Sequence, residues 1–362
     1  MVREEMKIAP FYNENGKRPF WIAGPCSAET EEQMLQTAHA LKDSGIDLFR
    51  AGSWKPRTRP NSFEGLGAEA LDWLQLVKEE TGLAVTTEVA NARHVEETLK
   101  RDIDVIWIGA RTTVNPFSVQ EIADALKGVD APVLIKNPIN PDLKLWLGAI
   151  ERIYNSGVKQ IGVIHRGFSS YGSDKYRNQP RWQIAIELKR LFPELTMICD
   201  SSHISGTRGL LEEVSQKAFD LNYDGIMLEV HPDPNSALSD PEQQITPQVY
   251  KEMKARLQYR QAFTDNEEFL QSLENFRHQI DEIDDEIISL MASRMKLAGK
   301  IGEYKKRNNI SILQTKRWSE ILQKNVDKGG KLDLSSEFMT SLFKAVHQES
   351  INRQHRIMKS DK

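Results

Sequence analysis

Residues 48–60 have the sequence LFRAGSWKPRTRP, in which the apolar run Leu48–Arg50 leads into a loop that carries three more cations. Pro56 restricts the backbone of that loop and so holds its neighbours Lys55 and Arg57 in one rigid turn. A lysine ammonium binds phosphate as a point charge, whereas the arginine fork matches a carboxylate. The stretch therefore predicts a short strand that ends in an anion-binding loop, with a solvated basic loop as the alternative.

Short β-branched and apolar runs recur through the first two thirds of the chain. They are Phe20–Ala23, Leu48–Arg50, Leu83–Val89, Val105–Ile108, Val133–Ile135, Gln160–Ile164, Thr196–Cys199 and Gly225–Val230. Helical patterns lie between them, at Glu31–Lys42, Leu71–Glu80, Val119–Leu126 and Leu210–Leu221. Strands that alternate with helices in this way predict an α/β fold, a (β/α)8 TIM barrel. An open doubly wound sheet is the alternative, but no Gly-x-Gly-x-x-Gly fingerprint follows a strand.

The composition is that of a globular protein without a strong charge. The chain has 362 residues, 39% hydrophobic and 28% charged, with a net charge of −4, so it has no overall attraction to nucleic acid or to an anionic membrane. No apolar run is long enough to span a bilayer, and the first residues lack the apolar stretch of a signal peptide. We therefore expect a cytoplasmic protein. Two cysteines, Cys26 and Cys199, are too few for a disulfide framework.

The sequence changes character after Tyr259, and no strand pattern follows. This change predicts two domains, a barrel at residues 1–262 and a small all-α domain at residues 263–362. Helical periodicity runs from Glu267 to Lys306, and a helix of that length needs other helices to pack against. Two further helices and the turn between them are expected at Lys316–Lys324, Ser335–Met358 and Lys328–Lys331.

The long helix carries an acidic run, residues 281–286, which we interpret as a solvated face. The apolar residues around it should face inward: Ile280, Ile283, Ile287 and Leu290. Arg294 and Lys305 lie about three turns apart, so both can reach one ligand from one face. Arg277 lies roughly 25 Å from Arg294 and about 100° round the helix. If all three bind one small dianion, Arg277 must come from the antiparallel helix of a second protomer, which predicts an intertwined homodimer.

In a barrel the C-terminal ends of the strands share one rim, where the chemistry takes place. Four residues with metal-binding side chains follow the predicted strands: Cys26, His203, Glu229 and Asp240. A thiolate, an imidazole and two carboxylates suit Mn, Fe, Co or Zn better than Mg or Ca. The set predicts a divalent metal site, with a buried apolar Cys26 and an isolated surface Asp240 as alternatives. His231 is a rival ligand or a neighbour of the site.

Basic residues occupy the same rim: Arg50, Lys55, Arg111, Lys136, His165 and Arg166. Several positive charges in one mouth need anions to neutralise them, so the substrates should carry phosphate and carboxylate groups. The alternative is that two or three of these residues lie on the surface. Together with a metal, the set predicts a carbonyl polarised by the metal while phosphorylated substrates are held in register.

The ordered motifs closely resemble those of the type I 3-deoxy-D-arabino-heptulosonate 7-phosphate (DAHP) synthases over about residues 18–260. The motifs are Gly24-Pro25-Cys26-Ser27, Arg50-Ala51-Gly52, Lys55-Pro56-Arg57-Thr58, Ile108-Gly109-Ala110-Arg111, Asp200-Ser201-Ser202-His203 and Leu228-Glu229-Val230-His231-Pro232. Lys-Pro-Arg-Thr also distinguishes this family from the related eight-carbon sugar-acid synthases.

The resemblance implies a role for each residue of the rim. Cys26, His203, Glu229 and Asp240 would hold the metal. Phosphoenolpyruvate would be bound by Arg50, Lys55, Arg111, Lys136 and Arg166, with Lys55 also catalytic. Arg57 and Thr58 would bind erythrose 4-phosphate. The segments around Lys136 and His165 depart from the family pattern.

A second resemblance, to the all-α chorismate mutases, covers about residues 270–358. It rests on the spacing of these residues: Arg277, Arg294, Lys305, Arg317, Ser350 and Gln354. They would bind and rearrange chorismate by stabilising charge on its ether oxygen, without any cofactor. Gln314 and Trp318 depart from the family, which often has carboxylates there, so activity could be weaker.

The two resemblances together imply a bifunctional shikimate-pathway enzyme. One domain would condense phosphoenolpyruvate with erythrose 4-phosphate to DAHP and phosphate, and the other would convert chorismate to prephenate. We also expect prephenate to inhibit the synthase through the helical domain. The alternative keeps the synthase but makes the helical domain a catalytically weak sensor of a regulatory ligand.

Overall fold

The protein is described by a computed structural model at residues 6, 8–9, 11, 19–56, 62–171, 175–261 and 263–359. The chain divides into two compact units, residues 1–262 and 263–362. The first unit contains all of the strands, and the second is helical. No helix within the described ranges is both long and apolar enough to cross a membrane.

Eight parallel strands form a closed barrel in chain order, and the last pairs with the first. The strands are β1 (Phe20–Gly24), β2 (Leu48–Arg50), β3 (Val85–Val89), β4 (Val105–Ile108), β5 (Val133–Lys136), β6 (Ile161–His165), β7 (Thr196–Asp200) and β8 (Gly225–Glu229). The predicted TIM barrel is therefore confirmed, and the open sheet is excluded. All eight runs of the sequence analysis are strands.

Helices connect the strands of the barrel unit. They are α1 (Glu31–Leu41), α2 (Ala68–Thr81), α3 (Ala92–Lys100), α4 (Ala110–Thr113), α5 (Pro116–Ala125), α6 (Leu143–Asn155), α7 (Trp182–Leu191), α8 (Ser201–Ser205), α9 (Leu211–Asp220) and α10 (Pro247–Arg256). Side-chain oxygens cap several N-termini. Thr30 accepts a hydrogen bond from the Gln33 amide, and Asn91 accepts one from the His94 amide. Such caps satisfy amides that have no partner within the helix.

Strand side chains alternate between two apolar layers. One layer fills the barrel and includes Ile22, Leu48, Leu134, Ile164, Ile198 and Met227. The other lies between the strands and the helices and includes Ala23, Phe49, Ile135, Val163, Cys199 and Leu228. Since successive side chains of a strand point to opposite faces, residues two positions beyond an interior residue also point inward, towards the mouth. These residues are Arg50, Lys136, Arg166, Asp200 and Glu229.

Gly24, the last residue of β1, lies against the backbone of β2. Its φ angle is +149°, and a Cβ atom there would lie 2.1 Å from the carbonyl oxygen of Arg50. Only glycine combines that backbone conformation with so close an approach. This contact brings the segment that carries Cys26 beside the residue that ends β2.

The second unit consists of α11 (Glu267–Arg307), α12 (Thr315–Gly330) and α13 (Ser336–Lys359). Asn266 caps α11 by accepting a hydrogen bond from the Phe269 amide. Helix α13 contacts both α11 and α12. The buried residues of α11 are confined to its C-terminal third: Ala298, Gly299 and Gly302. The predicted three-helix architecture is confirmed, although most of α11 is not covered within the chain.

Two details of the helical prediction are wrong. The turn expected at Lys328–Lys331 begins only at Lys331, because α12 continues to Gly330. Gly329 instead lets α13 pack closely, since a Cβ atom there would lie 2.4 Å from Cγ of Met339. The four apolar residues around the acidic run also do not face inward within the chain. Ile280, Ile283, Ile287 and Leu290 are 47–69% exposed.

Candidate functional site

Three of the four predicted metal ligands meet at the mouth of the barrel. A ligand atom of each of Cys26, Glu229 and Asp240 lies within 4.8 Å of the other two. Cys26 and Glu229 are fully buried, and the Asp240 side chain is 14% exposed. The three residues follow β1, end β8 and lie in the loop after β8, so only closure of the barrel brings them together. We call them the ligand cluster.

His203, the fourth predicted ligand, lies beside the ligand cluster and is not one of its members. Its Nδ1 atom is 2.8 Å from Oδ2 of Asp200 and 3.7 Å from Oε1 of Glu229. Its backbone amide donates to Oδ1 of the same aspartate at 3.2 Å. Asp200 therefore sets the position of His203 next to the cluster.

Two predicted substrate-binding cations contact the ligand cluster directly. Lys55 Nζ donates to Sγ of Cys26 at 2.9 Å and to its carbonyl oxygen at 3.0 Å. Arg50 donates to Oε1 of Glu229 at 3.1 Å and to the Cys26 carbonyl oxygen at 2.8 Å. The predicted metal site and the predicted anion site therefore share one buried network.

The donor atoms of the ligand cluster fit a divalent transition-metal ion. Burial alone would raise the pKa of Asp240, but His203, Arg177 and Lys55 hold it well below its usual range. Burial also opposes ionisation of Glu229, yet His203, Arg50 and Lys55 lower its pKa. Burial, and then Glu229, raises the pKa of the Cys26 thiol to about 12. One sulfur beside two ionised carboxylates is a donor set for Mn, Fe, Co or Zn rather than for Mg or Ca.

Lys136 and Arg166 are also buried at the mouth. Lys136 Nζ pairs with Oδ2 of Asp200 at 2.9 Å, and both side chains are almost completely buried. Arg166 donates to Oδ1 of Asn178 at 2.8 Å. Burial lowers the pKa of Arg166 to about 10, although Asp200 opposes this shift, so the guanidinium stays charged at neutral pH. The predicted residue Arg111 is exposed at the end of β4, in the short helix α4.

The site prediction missed three residues of the mouth: Asp200, Trp107 and Glu88. Asp200 pairs with Lys136 and His203. Trp107, in β4, lies under two cations, with its ring centroid 5.0 Å from Arg50 Cζ and 5.5 Å from Lys136 Nζ. Its indole N–H donates to Glu88 at 2.9 Å. All three lie on the inward face of their strands, so the two-residue period of the strands would have identified them.

The same period shows why His165 was wrongly assigned to the substrate site. Its neighbour Ile164 lies inside the barrel, so His165 points outward among aromatic side chains of the helices. Its Nε2 donates to the Pro180 carbonyl at 2.7 Å, and its Nδ1 accepts from the Tyr223 hydroxyl at 2.8 Å. Both ring nitrogens are used, and the side chain is completely buried. This environment contradicts the expectation that His165 binds substrate.

Arg57 and Thr58, the predicted erythrose 4-phosphate residues, lie outside the described residues. Their roles therefore rest on the sequence motif alone. The rival ligand His231 is buried, and its Nδ1 accepts a hydrogen bond from the Asp233 amide at 3.1 Å. It is not a member of the ligand cluster.

In the helical unit, α11 and α13 bring several predicted residues together. Arg294 donates to the Ser350 hydroxyl at 2.6 Å. Gln354, one turn further along α13, is buried beside Gly302 and has no hydrogen-bond partner for Oε1 among the described residues. Lys305 lies on α11 one turn after Gly302, and its Nζ donates to the Ile312 carbonyl oxygen. These residues form a polar cluster on α11 and α13.

Trp318, on α12, lies next to this polar cluster. Its ring stacks on His347 with centroids 3.9 Å apart and planes within 13°. Burial, Arg294 and Lys305 all lower the pKa of His347, which shows that it lies near the same cations. The position that often carries a carboxylate in the resembling family therefore presents an aromatic stack here.

Arg277 and Arg317 are not gathered with these residues within the chain. Each is more than 60% exposed, and each makes an ion pair of 3.5 Å with a glutamate three residues away on its own helix. Arg277 pairs with Glu274, and Arg317 with Glu320. A surface ion pair of this kind contributes little stability and leaves the arginine free to bind another partner.

Comparison with known proteins agrees with both resemblances. The sequence profile of the DAHP synthetase I family matches residues 5–264, and that of chorismate mutase type II matches residues 276–355. Phospho-2-dehydro-3-deoxyheptonate aldolase of Thermotoga maritima is 34% identical over 232 residues, which are 64% of this chain and 67% of that protein. A 2-dehydro-3-deoxyphosphooctonate aldolase of Francisella tularensis is 29% identical over 255 residues, 65% of this chain and 88% of that protein.

Solved structures show the same relationship. The crystal structure of the Thermotoga maritima DAHP synthase aligns with a TM-score of 0.60 and 31% identity, over 66% of this chain and 68% of that one. A truncated form of the Thermotoga maritima enzyme also aligns with a TM-score of 0.60, at 28% identity, over 69% of this chain and 91% of that one.

The environment of His165 predicts a pH dependence of barrel stability. Burial lowers its pKa from 6.5 to about 4, so the unfolded chain binds the proton more readily than the folded one. The contribution of the neutral ring to the free energy of unfolding is fully present above pH 6.5 and is lost as the pH falls towards 4. Between pH 7 and pH 5 the loss should be about 2 kcal/mol. Urea unfolding of the wild type and of His165→Gln at both pH values measures it.

The quantity to compare is the difference in unfolding free energy between the two proteins. This difference should shrink by about 2 kcal/mol on acidification, because glutamine does not titrate. An unchanged difference would show that His165 is not held neutral.

Proposed function

Because this chain belongs to the DAHP synthetase I family and carries a type II chorismate mutase domain, it is a bifunctional enzyme of the shikimate pathway, and we propose how its residues divide the two reactions. The barrel condenses phosphoenolpyruvate with erythrose 4-phosphate to DAHP and phosphate. The helical domain rearranges chorismate to prephenate. The main support for the barrel assignment is the single buried network of ligand cluster, Lys55 and Arg50.

The ligand cluster, with His203 beside it, holds the divalent metal of the synthase. Its donor set supports Mn, Fe, Co or Zn. Such an ion supplies Lewis-acid polarisation of the aldehyde carbonyl of erythrose 4-phosphate. The protein provides a buried site for it in which both carboxylates are ionised at neutral pH.

Phosphoenolpyruvate is bound by the cations around that site: Arg50, Lys55, Arg111, Lys136 and Arg166. Arg50 and Lys136 already pair with buried carboxylates, at 3.1 and 2.9 Å. They are therefore held in place before substrate arrives, which reduces the ordering cost of binding. Arg57 and Thr58 bind the phosphate of erythrose 4-phosphate, a proposal that rests on their motif.

Lys55 is the proposed proton donor of the barrel. Burial alone would lower its pKa, but Cys26 and Glu229 reverse the effect and raise it. The ammonium therefore keeps its proton at neutral pH. From its position 2.9 Å from Cys26 Sγ, it can donate to an oxygen that gains negative charge during the condensation.

Chorismate is bound in the helical domain by residues of two protomers. Arg294, Lys305, Arg317, Ser350 and Gln354 come from one chain, and Arg277 comes from the second. The Arg294 to Ser350 contact of 2.6 Å and the unpartnered buried Oε1 of Gln354 support the first part. The second part is supported by Arg277, which is exposed and lies roughly 25 Å along α11 from Arg294.

The exposed apolar face of α11 supports a homodimer through this domain. Ile280, Ile283, Ile287 and Leu290 share that face with Phe276, which is also exposed. Burying one such side chain is worth about 1.5–3 kcal/mol, so the five together are comparable to the stability of a small domain. A second copy of α11 supplies the matching surface. No metal or other cofactor is needed for the mutase reaction, since its donors and cations act as charge stabilisers.

Prephenate is the proposed feedback inhibitor of the synthase. It is a dianion formed in the helical domain, so the same cations can retain it. Inhibition requires that bound prephenate favour one of two arrangements of the protein. The support is the joining of the first enzyme of the pathway to a site for a later product in one chain.

Metal removal separates the two activities. Chelation by EDTA should abolish condensation and leave mutase turnover unchanged, because only the barrel contains the ligand cluster. Added Mn²⁺ should restore condensation in the wild type but much less in Cys26→Ser. Full condensation activity in protein shown to be metal-free by mass spectrometry would contradict the proposal, and the mutase assay on the same sample is the internal control.

Mixed dimers test the shared mutase site. Arg277→Ala and Arg294→Ala should each lose most mutase turnover when purified alone. After exchange of protomers in a 1:1 mixture, each mixed dimer contains one intact site, so about a quarter of wild-type turnover should return. No recovery, with exchange verified by differently tagged chains, would place Arg277 and Arg294 in the same protomer or in no common site.

Truncation tests the feedback route. A chain that ends at Phe263 should condense its substrates without inhibition by prephenate. If this shortened chain is inactive, full-length Arg294→Gln replaces it, since it weakens prephenate binding and leaves the barrel intact. Prephenate inhibition that persists unchanged in either protein would place the inhibitory site in the barrel.

A further inference from the structure

A chain of hydrogen bonds links the two carboxylates of the ligand cluster. Arg177, in the segment between β6 and α7, donates from Nη2 to Oδ1 of Asp240 at 3.0 Å and from Nη1 to Oε1 of Gln243 at 2.6 Å. Gln243 in turn donates from Nε2 to Oε2 of Glu229 at 2.6 Å. Arg177 thus contacts one carboxylate of the cluster directly and the other through one intervening amide.

Arg177 and Gln243 each donate to one oxygen of a carboxylate, Oδ1 of Asp240 and Oε2 of Glu229. Asp240 has its other oxygen, Oδ2, 3.5 Å from Sγ of Cys26. Oε1 of Glu229 accepts from Arg50 and its Oε2 accepts from Gln243. Both oxygens of each carboxylate therefore have a contact, which fixes the rotation of the two carboxylates.

The backbone of Asp240 also needs support. Its φ angle is +48°, a conformation that residues other than glycine adopt rarely and at a cost of about 1–3 kcal/mol. Such a conformation persists when surrounding contacts determine it. The hydrogen bond from Arg177 is one of those contacts, and it joins the loop after β8 to the loop after β6.

The path of Arg177 is itself determined by its surroundings. Its amide donates to the Ser205 carbonyl oxygen at 3.4 Å. Its side chain passes over Gly206, where a Cβ atom would lie only 2.3 Å from the Cβ of Arg177. The next residue, Asn178, donates to the His203 carbonyl oxygen at 2.6 Å and accepts from Arg166. Two consecutive residues therefore connect Asp240, Glu229 and His203.

We propose that Arg177 and Gln243 are positioning residues of the metal site, which fix Asp240 and Glu229 for binding of the divalent metal. The proposal rests on the proposed function of the ligand cluster. Neither residue has an atom in the cluster, and both act by orienting its carboxylates. Outer contacts of this kind typically change metal affinity by about 10- to 100-fold when they are removed.

Because Arg177 is charged, the sign of the change in metal affinity after its removal is informative. A guanidinium beside Asp240 repels a metal cation, so an effect of charge alone predicts tighter metal binding after its removal. Positioning predicts weaker binding after the same change. The two explanations therefore predict changes in metal affinity of opposite sign. Gln243 is neutral, and its replacement by leucine removes the hydrogen bond to Glu229 without a change of charge.

The experiment is a calorimetric titration of Mn²⁺ into full-length, EDTA-stripped protein. The dissociation constant should rise about 10-fold or more in Arg177→Gln and in Gln243→Leu. The double variant should lose less than the product of the two effects, since both residues belong to one chain of contacts. Arg177→Lys should recover part of the loss, because it can keep a donor near Asp240.

Arg256→Gln is the matched control. Arg256 is exposed to a similar degree, 54% against 46% for Arg177, and it pairs with Glu212 on the outer surface of the barrel unit. Its replacement should leave the Mn²⁺ affinity unchanged. Thermal unfolding of the metal-free proteins shows that each variant is folded, and Arg177→Gln alone decides the proposal if Gln243→Leu does not fold.

The outcomes separate this proposal from the proposed function. If the wild type binds Mn²⁺ and Arg177→Gln binds it equally well or more tightly, the positioning role is wrong and the metal site stands. If the wild type does not bind Mn²⁺, the proposed metal site fails and the positioning role fails with it. Weaker binding in Arg177→Gln with an unchanged control supports the proposal.

Discussion

Every second side chain of a closed parallel barrel points towards its axis, and the rest of the barrel unit depends on that constraint. The alternation carries apolar side chains such as Leu134 and Ile164 into the interior, and it also carries the next inward residues, Lys136 and Arg166, into the mouth. His165 stands between two inward positions and therefore becomes part of the outer layer. One rule of strand geometry thus separates the residues of the site from their immediate neighbours.

Charges that enter the barrel must find partners, because a buried charge without one costs several kcal/mol. Two buried ion pairs satisfy this condition, Arg50 with Glu229 and Lys136 with Asp200. The same pairs help to keep the carboxylates of Glu229 and Asp200 ionised despite their burial. Cations and carboxylates can therefore occupy one small volume without net repulsion.

The helical domain is governed by a different constraint, the length of α11. A helix of 41 residues is about 60 Å long, and α12 and α13 bury only part of it. The apolar face around Ile283 and Ile287 is left open within the chain. The same length separates Arg277 from Arg294. The proposed homodimer accounts for both features, because a second copy of α11 would cover the open apolar face and would bring its own Arg277 to the site of Arg294.

The sequence by itself determined the secondary-structure elements of this protein and the families of its two domains. Local periodicity defined the eight strands and three C-terminal helices, and the ordered motifs identified both families, because these features depend on neighbouring residues. Only the tertiary structure decided which residues meet. It placed Arg177 and Gln243 against the carboxylates of the ligand cluster, put His165 in the outer layer and left most of α11 exposed. Closure of the barrel joins positions as far apart as Cys26 and Asp240, and no local pattern records such distances.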